Sequence, residues 1–379
     1  MGAERDTRRR LRIGVIFGGR SAEHDVSLRS AQTVMGALAA AGHQIVPLGV
    51  TREGQWLTSG DPMLALQAQS PLFALSAGSG HARGSVVDAV EELALQAQQQ
   101  SGAAVIPANG WAGELDVIFP VLHGPMGEDG TVQGLFELAG LPYVGAGVMS
   151  SAVGMDKSIS KQLMAQAGIP QTPWLTILRK EWERFPEQLS EDVTRELGYP
   201  CFVKPANMGS SIGVSKVHDA SELDAAIREA GQHDRKLLVE ANADGRELEV
   251  SVLGNDEPIA SIVGEIVPGH EFYDYEAKYV DDSSDLLIPA PIPQHVSEEI
   301  RALAVRAFRA IDCAGMARVD FFWNEKLDRV YLNELNTIPG FTAISMYPKL
   351  WEASGIGMPE LVDRLVVLAI ERFDERHGV

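Results

Sequence analysis

The chain has 379 residues, which at roughly 100–200 residues per domain implies two or three domains. With 45% hydrophobic and 22% charged residues it has the composition of a folded globular protein, not of a disordered or membrane one. Asp and Glu number 52 against 32 Lys and Arg, and a formal charge of −20 argues against a general binder of nucleic-acid backbone, though not against one nucleotide held by a local cluster of cations.

Two cysteines, Cys201 and Cys313, exclude a disulfide scaffold and suit a reducing cytoplasm. No apolar run of about 18 residues predicts a membrane span. Met1–Arg10 is charged, is not followed by the apolar stretch of a signal peptide, and reads as a frayed tail.

In chain order, Leu11–Phe17 is an apolar strand that breaks at Gly18-Gly19. Ser27–Ala41 carries Leu28, Ala31, Val34, Met35 and Leu38 at helical spacing and stops at Gly42; Ile45–Val50 is a second strand. Strand, glycine loop, helix, strand is the opening of a doubly wound α/β domain. Residues 59–108, rich in Ala, Gln, Ser and Gly, read as an insertion, after which Asp116–Leu122, the helix Thr131–Ala139 and the strand Pro142–Val144 complete the unit. Asp156–Ala167 is helical and stops at Gly168 and Pro170. Tyr199–Lys204, Gly213–Val217 and Lys236–Glu240 read as strands, with a helix at Ala220–Ala230, an α+β pattern. Strands then dominate at Leu248–Leu253, Ile259–Glu265, Arg318–Trp323 and Arg329–Leu335, with helices at Ser297–Ile311 and Leu361–Arg372. The boundaries expected are 1–143, 144–243 and 244–379.

Four constellations carry chemistry. The loop Asn207–Gly213 follows Lys204 between two strands, and its glycines and serines could cradle an anion or make a plain hairpin turn; it fits neither the P-loop nor the dinucleotide fingerprint. A hairpin centred on Leu327 sets Asp320 opposite Glu334 and places Arg318, Asp320, Glu334 and Asn336 on one face. Opposed carboxylates repel, and a divalent cation would relieve them; the alternative is a solvated polar face. Lys157, Lys204 and Lys278 stand in otherwise apolar or aromatic contexts, as ligands or as snorkelling surface residues. Glu23 and His123 lie at the carboxyl edge of the first sheet, where Glu23 either holds an ammonium group or only favours a helix N-terminus.

Taken together and in this order, Val15–Ser27, Leu122–Gly130, Met155–Lys157, Val203–Gly213, Phe272–Tyr279, Arg318–Asp320 and Asn333–Gly340 resemble the D-alanine–D-alanine ligases of the ATP-grasp superfamily. That resemblance implies an N-terminal α/β domain followed by two α+β domains that clasp ATP. It implies ATP-dependent joining of two D-alanines through an acyl phosphate for peptidoglycan synthesis, with two Mg²⁺ ions (or Mn²⁺).

Carried over by motif, Lys157 and Lys204 should hold ATP phosphates, Ser210 and Ser211 cover the γ-phosphate, Glu240 reach the adenine and Glu247 the ribose. Asp320, Glu334 and Asn336 should bind metal, and Arg318 with the Gly340 N–H should stabilise the oxyanion. Glu23 should bind the first D-alanine's ammonium group with His123 nearby, Ser345 the second carboxylate, while Lys278 and Tyr279 close a lid. Ala241 departs from relatives that carry a basic residue there. A homodimer is the default on base rates. Another ATP-grasp ligase would share the ATP residues without needing Glu23 or Tyr279, and a nucleotide-binding regulator without catalysis would not need Arg318.

Overall fold

The structure is a computed structural model that describes residues 10–70, 114–267 and 285–378. Much of the 59–108 insertion therefore lies outside the described residues, as do Lys278 and Tyr279.

The first sheet has the order β3-β2-β1-β4, from β1 (Arg12–Gly18), β2 (Gln44–Val50), β3 (Trp56–Leu57) and β4 (Val117–Val121). β1 pairs in parallel with β2 and β4, and every residue from Ile13 to Phe17 is buried, as a strand covered on both faces requires. Gly18 ends β1 at φ +92, and a Cβ there would lie 2.2 Å from the Val50 carbonyl oxygen, so the turn admits only glycine. The following helix is His24–Ala40, one turn earlier than Ser27, because its first turn is polar and carries no apolar periodicity. Pro142–Val144 is not a strand: only the bridge Ile118↔Tyr143 forms.

The second sheet, order β5-β8-β6-β7, is antiparallel and built from β5 (Trp174–Leu178), β6 (Cys201–Pro205), β7 (Ser215–Val217) and β8 (Lys236–Ala241). Sequence patterning misses β5 and the helices Arg179–Arg184 and Pro186–Glu196. The edge strand β5 buries only Ile177, so it shows no clear alternation.

The third sheet runs β11-β10-β9-β12-β13, from β9 (Arg246–Gly254), β10 (Ile259–Val267), β11 (Asp285–Leu287), β12 (Gly315–Asn324) and β13 (Arg329–Asn336). Helix Gln294–Ala310 covers one face; helix Met346–Ala353, absent from the sequence reading, packs on β9 and β10.

The closing helix, Met358–His377, returns to the start of the chain. Leu365 and Val366 share one core with Ile13, Leu28 and Phe119. Arg372 donates to the Tyr143 carbonyl at 3.0 Å, and His43 Nε2 meets Asp363 at 2.9 Å. Among the described residues no helix is long and apolar enough to cross a membrane.

Candidate active site

A cleft of about 440 Å³ opens between the second and third sheets, lined among others by Lys157, Lys204, Ser210, Glu240, Glu247 and Glu334. Lys157 begins the helix Lys157–Gln166, capped by the Asp156 side chain, which accepts from the Ile159 N–H at 3.1 Å. A cation at a helix start needs an anion nearby, and Glu334 Oε2 supplies it at 3.2 Å. Lys157 also donates to the Met208 carbonyl at 2.9 Å, which ties the helix to the glycine loop.

That loop is no plain hairpin turn. Ser210 and Ser211 have φ of +50 and +59, a conformation that costs an L-residue about 1–2 kcal/mol. Strain of this kind persists where it places groups that function uses. The Ser210 hydroxyl donates to Glu23 Oε1. A Cβ at Gly209 would meet Glu23 Oε2 at 3.2 Å and Glu128 Oε1 at 3.9 Å, so both acids lie beneath the loop. Glu128, which the sequence reading did not single out, accepts from the Gly124 N–H at 2.9 Å. Burial, then the charge of Glu23, push its carboxyl up to about 8.

Glu240 stands on β8, two residues beyond Leu238, the residue opposite Lys204, so the two side chains share a face. Lys204 Nζ lies 2.5 Å from Glu240 Oε2, Lys161 Nζ lies 2.5 Å from Oε1, and the Thr172 hydroxyl donates to the same carboxylate. Burial alone would raise the Glu240 pKa, but the two ammonium groups outweigh it and hold the carboxyl down at about 2. Lys161 and Thr172 are further residues that patterning missed; the available signal was Lys161 one helical turn beyond Lys157.

The hairpin pairs as expected, with Arg318↔Asn336 and Asp320↔Glu334 in register. A bulge at Asn333 then shifts the pairing, so Phe321 faces Leu332. Opposed charge, however, is already offset within the protein. Arg318 grips Asp320 through two hydrogen bonds of 2.8 and 2.7 Å and meets Glu249 at 3.0 Å, while Lys157 pairs with Glu334. Asn336 donates to Asp320 at 3.0 Å. Repulsion between carboxylates is therefore not a reason for a metal here. Among the described residues no group of three or more His, Cys, Asp or Glu forms a metal cage. Two carboxylates and an amide oxygen beside a cleft still fit a hard divalent cation that shares its coordination with phosphate oxygens.

His123 is buried, with Nδ1 3.1 Å from the Ile338 carbonyl and Nε2 3.3 Å from Ser30 Oγ. Burial lowers its pKa, so the ring is neutral and donates to Ile338 from Nδ1. Ser30 in turn accepts from the Phe341 N–H at 3.2 Å, so His123 and Ser30 brace the segment that carries Gly340. Ser345 lies against that glycine: a Cβ on Gly340 would come within 2.8 Å of its Oγ. Glu247, Ala241 and Ser211 line the cleft.

Two family models match the chain, D-ala D-ala ligase N-terminus over residues 12–146 and D-ala D-ala ligase C-terminus over residues 163–367. A D-alanine–D-alanine ligase of Heliobacterium modesticaldum is 50% identical over 365 residues, covering 96% of each chain. One from Acetivibrio thermocellus is 47% identical, covering 96% of this chain and 97% of its own. Among solved structures, the D-alanine–D-alanine ligase of Coxiella burnetii superposes with a TM-score of 0.79 at 35% identity, covering 97% of this chain and 96% of that one. The VanG D-Ala:D-Ser ligase of Enterococcus faecalis gives 0.75 at 34%, covering 95% and 100%. The three sheets are thus an ATP-grasp fold. With both family halves matched and relatives this similar along nearly the whole length, the chain belongs to the D-alanine–D-alanine ligase family.

Proposed function

We propose that the protein uses ATP to join two D-alanines into D-alanyl-D-alanine, a peptidoglycan precursor, in the cytoplasm. The observation that carries this reading is the convergence of Lys157, Lys204, Ser210 and Glu334 on one cleft, with Ser210 bonded to Glu23 from the opposite domain.

In this reading the first D-alanine carboxylate attacks the γ-phosphorus and ADP leaves, giving an acyl phosphate. The amine of the second D-alanine then attacks the acyl carbon, losing a proton, and inorganic phosphate departs. Lys157 and Lys204 hold the phosphates, and the Ser210 and Ser211 loop covers them. Glu240 serves the adenine and Glu247 the ribose. Glu23 holds the first ammonium group, and His123 keeps the Ile338–Phe341 segment in place. Arg318 and the Gly340 N–H receive the oxyanion, and Ser345 the second carboxylate. Lys278 and Tyr279 are the closing residues. A divalent cation bound by Asp320, Glu334 and Asn336, two Mg²⁺ in the fullest form of the proposal, supplies neutralising charge to the phosphate oxygens.

The three segments 1–143, 144–243 and 244–379 divide substrate, nucleotide and metal binding among them, and the active form is a homodimer that needs neither nucleic acid nor membrane. The test is phosphate release with D-alanine as sole amino acid, with dipeptide counted in parallel. Equal phosphate and dipeptide are expected, with negligible turnover when D-alanine is omitted or divalent cations are chelated. D-Serine and D-lactate as competitors measure the second-substrate preference, expected to favour D-alanine. Sedimentation of the active protein checks the dimer.

A further inference from the structure

Lys161 has no part in the reaction sketched above, although it is a lysine only 3% exposed. It is not among the residues that line the cleft, whereas its partner Glu240 is. Its ammonium group sits behind that carboxylate, 5.3 Å from the centre of the Trp174 ring. Burial lowers its pKa, and the Glu240 charge opposes that loss. One buried carboxylate thus has two lysines, Lys161 at one oxygen and Lys204 at the other.

The two lysines approach from different parts of the molecule. Lys204 is on β6 of the second sheet. Lys161 is on the helix Lys157–Gln166, whose Met164 packs in the core of the third sheet. Lys204 is also the group proposed to hold ATP phosphates, so it has two anions to serve. A lysine that moves from a buried carboxylate to a phosphate leaves that carboxylate without a counter-ion, which is unfavourable enough to hold the lysine back.

We infer that Lys161 is a reserve counter-ion: it keeps Glu240 neutralised and in place, so that Lys204 is free to turn to the phosphates. This rests on the reading of Lys204 as a phosphate ligand. Lys161 is a positioning residue that acts through Glu240. Thr172 assists by filling a further hydrogen-bonding site on the same carboxylate. The arrangement predicts a dependence on phosphate number. Without Lys161, Lys204 is bound to Glu240 alone, and nucleotides lose affinity in proportion to how much they need Lys204.

The experiment measures dissociation constants of adenosine and of a non-hydrolysable ATP analogue by calorimetry on the full chain. Lys161→Met should weaken the analogue on the order of tenfold, which is one 1.4 kcal/mol step, while leaving adenosine within about twofold. Lys161→Arg should restore the analogue. Equal losses for adenosine and the analogue would mean that Lys161 only shapes the purine end, and no loss would mean that it is a filler; either result overturns the inference.

A double variant, Lys161→Met with Glu240→Gln, guards against misfolding because it leaves no buried carboxylate short of a counter-ion, and Lys204 still faces the charge of Glu334. It should recover the wild-type ratio of analogue to adenosine affinity even as both weaken, and a ratio as poor as that of Lys161→Met alone also overturns the inference. Lys204→Met separates the underlying reading. If it leaves the analogue unaffected, Lys204 is not a phosphate ligand and the parent proposal falls. If it weakens the analogue while Lys161→Met does not, only the reserve role falls.

Discussion

The second sheet closes its core with residues from its own stretch of chain, among them Ile177, Trp182, Cys201, Ile227 and Val239, whereas the first sheet fills its core with Phe341, Tyr347, Trp351 and Leu365 from the far end of the chain. The two solutions have different consequences. The first and third units are welded by apolar packing into one platform. The second sheet meets its neighbours near the cleft through polar contacts: Ser210 to Glu23 of the first unit, and Met208 and Glu240 to Lys157 and Lys161 of the helix whose Met164 packs in the third sheet's core. Directional contacts of this kind can be exchanged for ligand contacts without opening a hydrophobic core, which suits the side of the cleft that must admit and release a nucleotide.

The largest way to break this contrast is Asp320→Ala. It abolishes turnover and removes the bidentate partner of the half-buried Arg318, which keeps Glu249 at 3.0 Å, so it costs about 1.5–3 kcal/mol of stability. Asp320→Asn loses turnover with a smaller stability cost. Denaturant melts beside turnover measure both, and an unchanged melt for the alanine variant would mean that the pair does not hold this face of β12 and β13.

Leu365→Ala and Ile227→Ala each empty a fully buried site and cost about 2–5 kcal/mol. Hydrogen exchange should place the loss differently: in β1 and β4 for Leu365→Ala, within the second sheet alone for Ile227→Ala. Identical exchange maps would dissolve the contrast.

Ser210→Ala removes one link between the units. A hydrogen bond to a charged acceptor is worth about 1.5–3 kcal/mol, so kcat/KM should fall roughly tenfold to a hundredfold with little change in melting. Steady-state kinetics decide it.

Two carboxyls sharpen the comparison through pH. Glu128 is raised to about 8, so its favourable contribution is complete below about pH 4.5 and drains away as pH rises towards 8. Glu240 is lowered to about 2, so its contribution is complete above about pH 4.5 and is lost as pH falls towards 2. Glu128→Gln should flatten the alkaline side of the stability profile and leave the acid side intact, as urea melts across pH would report. The smallest effect belongs to Lys326→Ala, whose exposed pair with Asp244 should contribute no more than about 0.5 kcal/mol in a thermal melt.

Local patterns carried much of the fold and site. β1 announced itself as an unbroken apolar run, and the β12–β13 register followed from alternation around a polar turn. Lys157 at a helix start implied an anion, and Glu334 is there. What was hidden depended on neighbours distant in sequence. The apolar stripe of Met358–His377 says that something covers it, but not that β1 and β4 do. Lys161 looks like any surface lysine until Glu240 arrives from β8. The half-exposed β5 lacks the alternation that marks a strand, and the bulge at Asn333 leaves no mark on a pattern of period two.

The ring of Phe119 meets that of Phe341 edge to face, with centroids 5.9 Å apart. A ribosome synthesising this chain releases the two more than two hundred residues apart. At about 5–20 residues per second, Phe119 waits roughly 10–45 s for its partner. During that interval the first sheet has strands without a finished interior, and the nascent chain must keep that apolar surface from other polypeptides. Pulse proteolysis of stalled chains should find the first 145 residues labile until the closing helix has emerged, and the second sheet protected well before then.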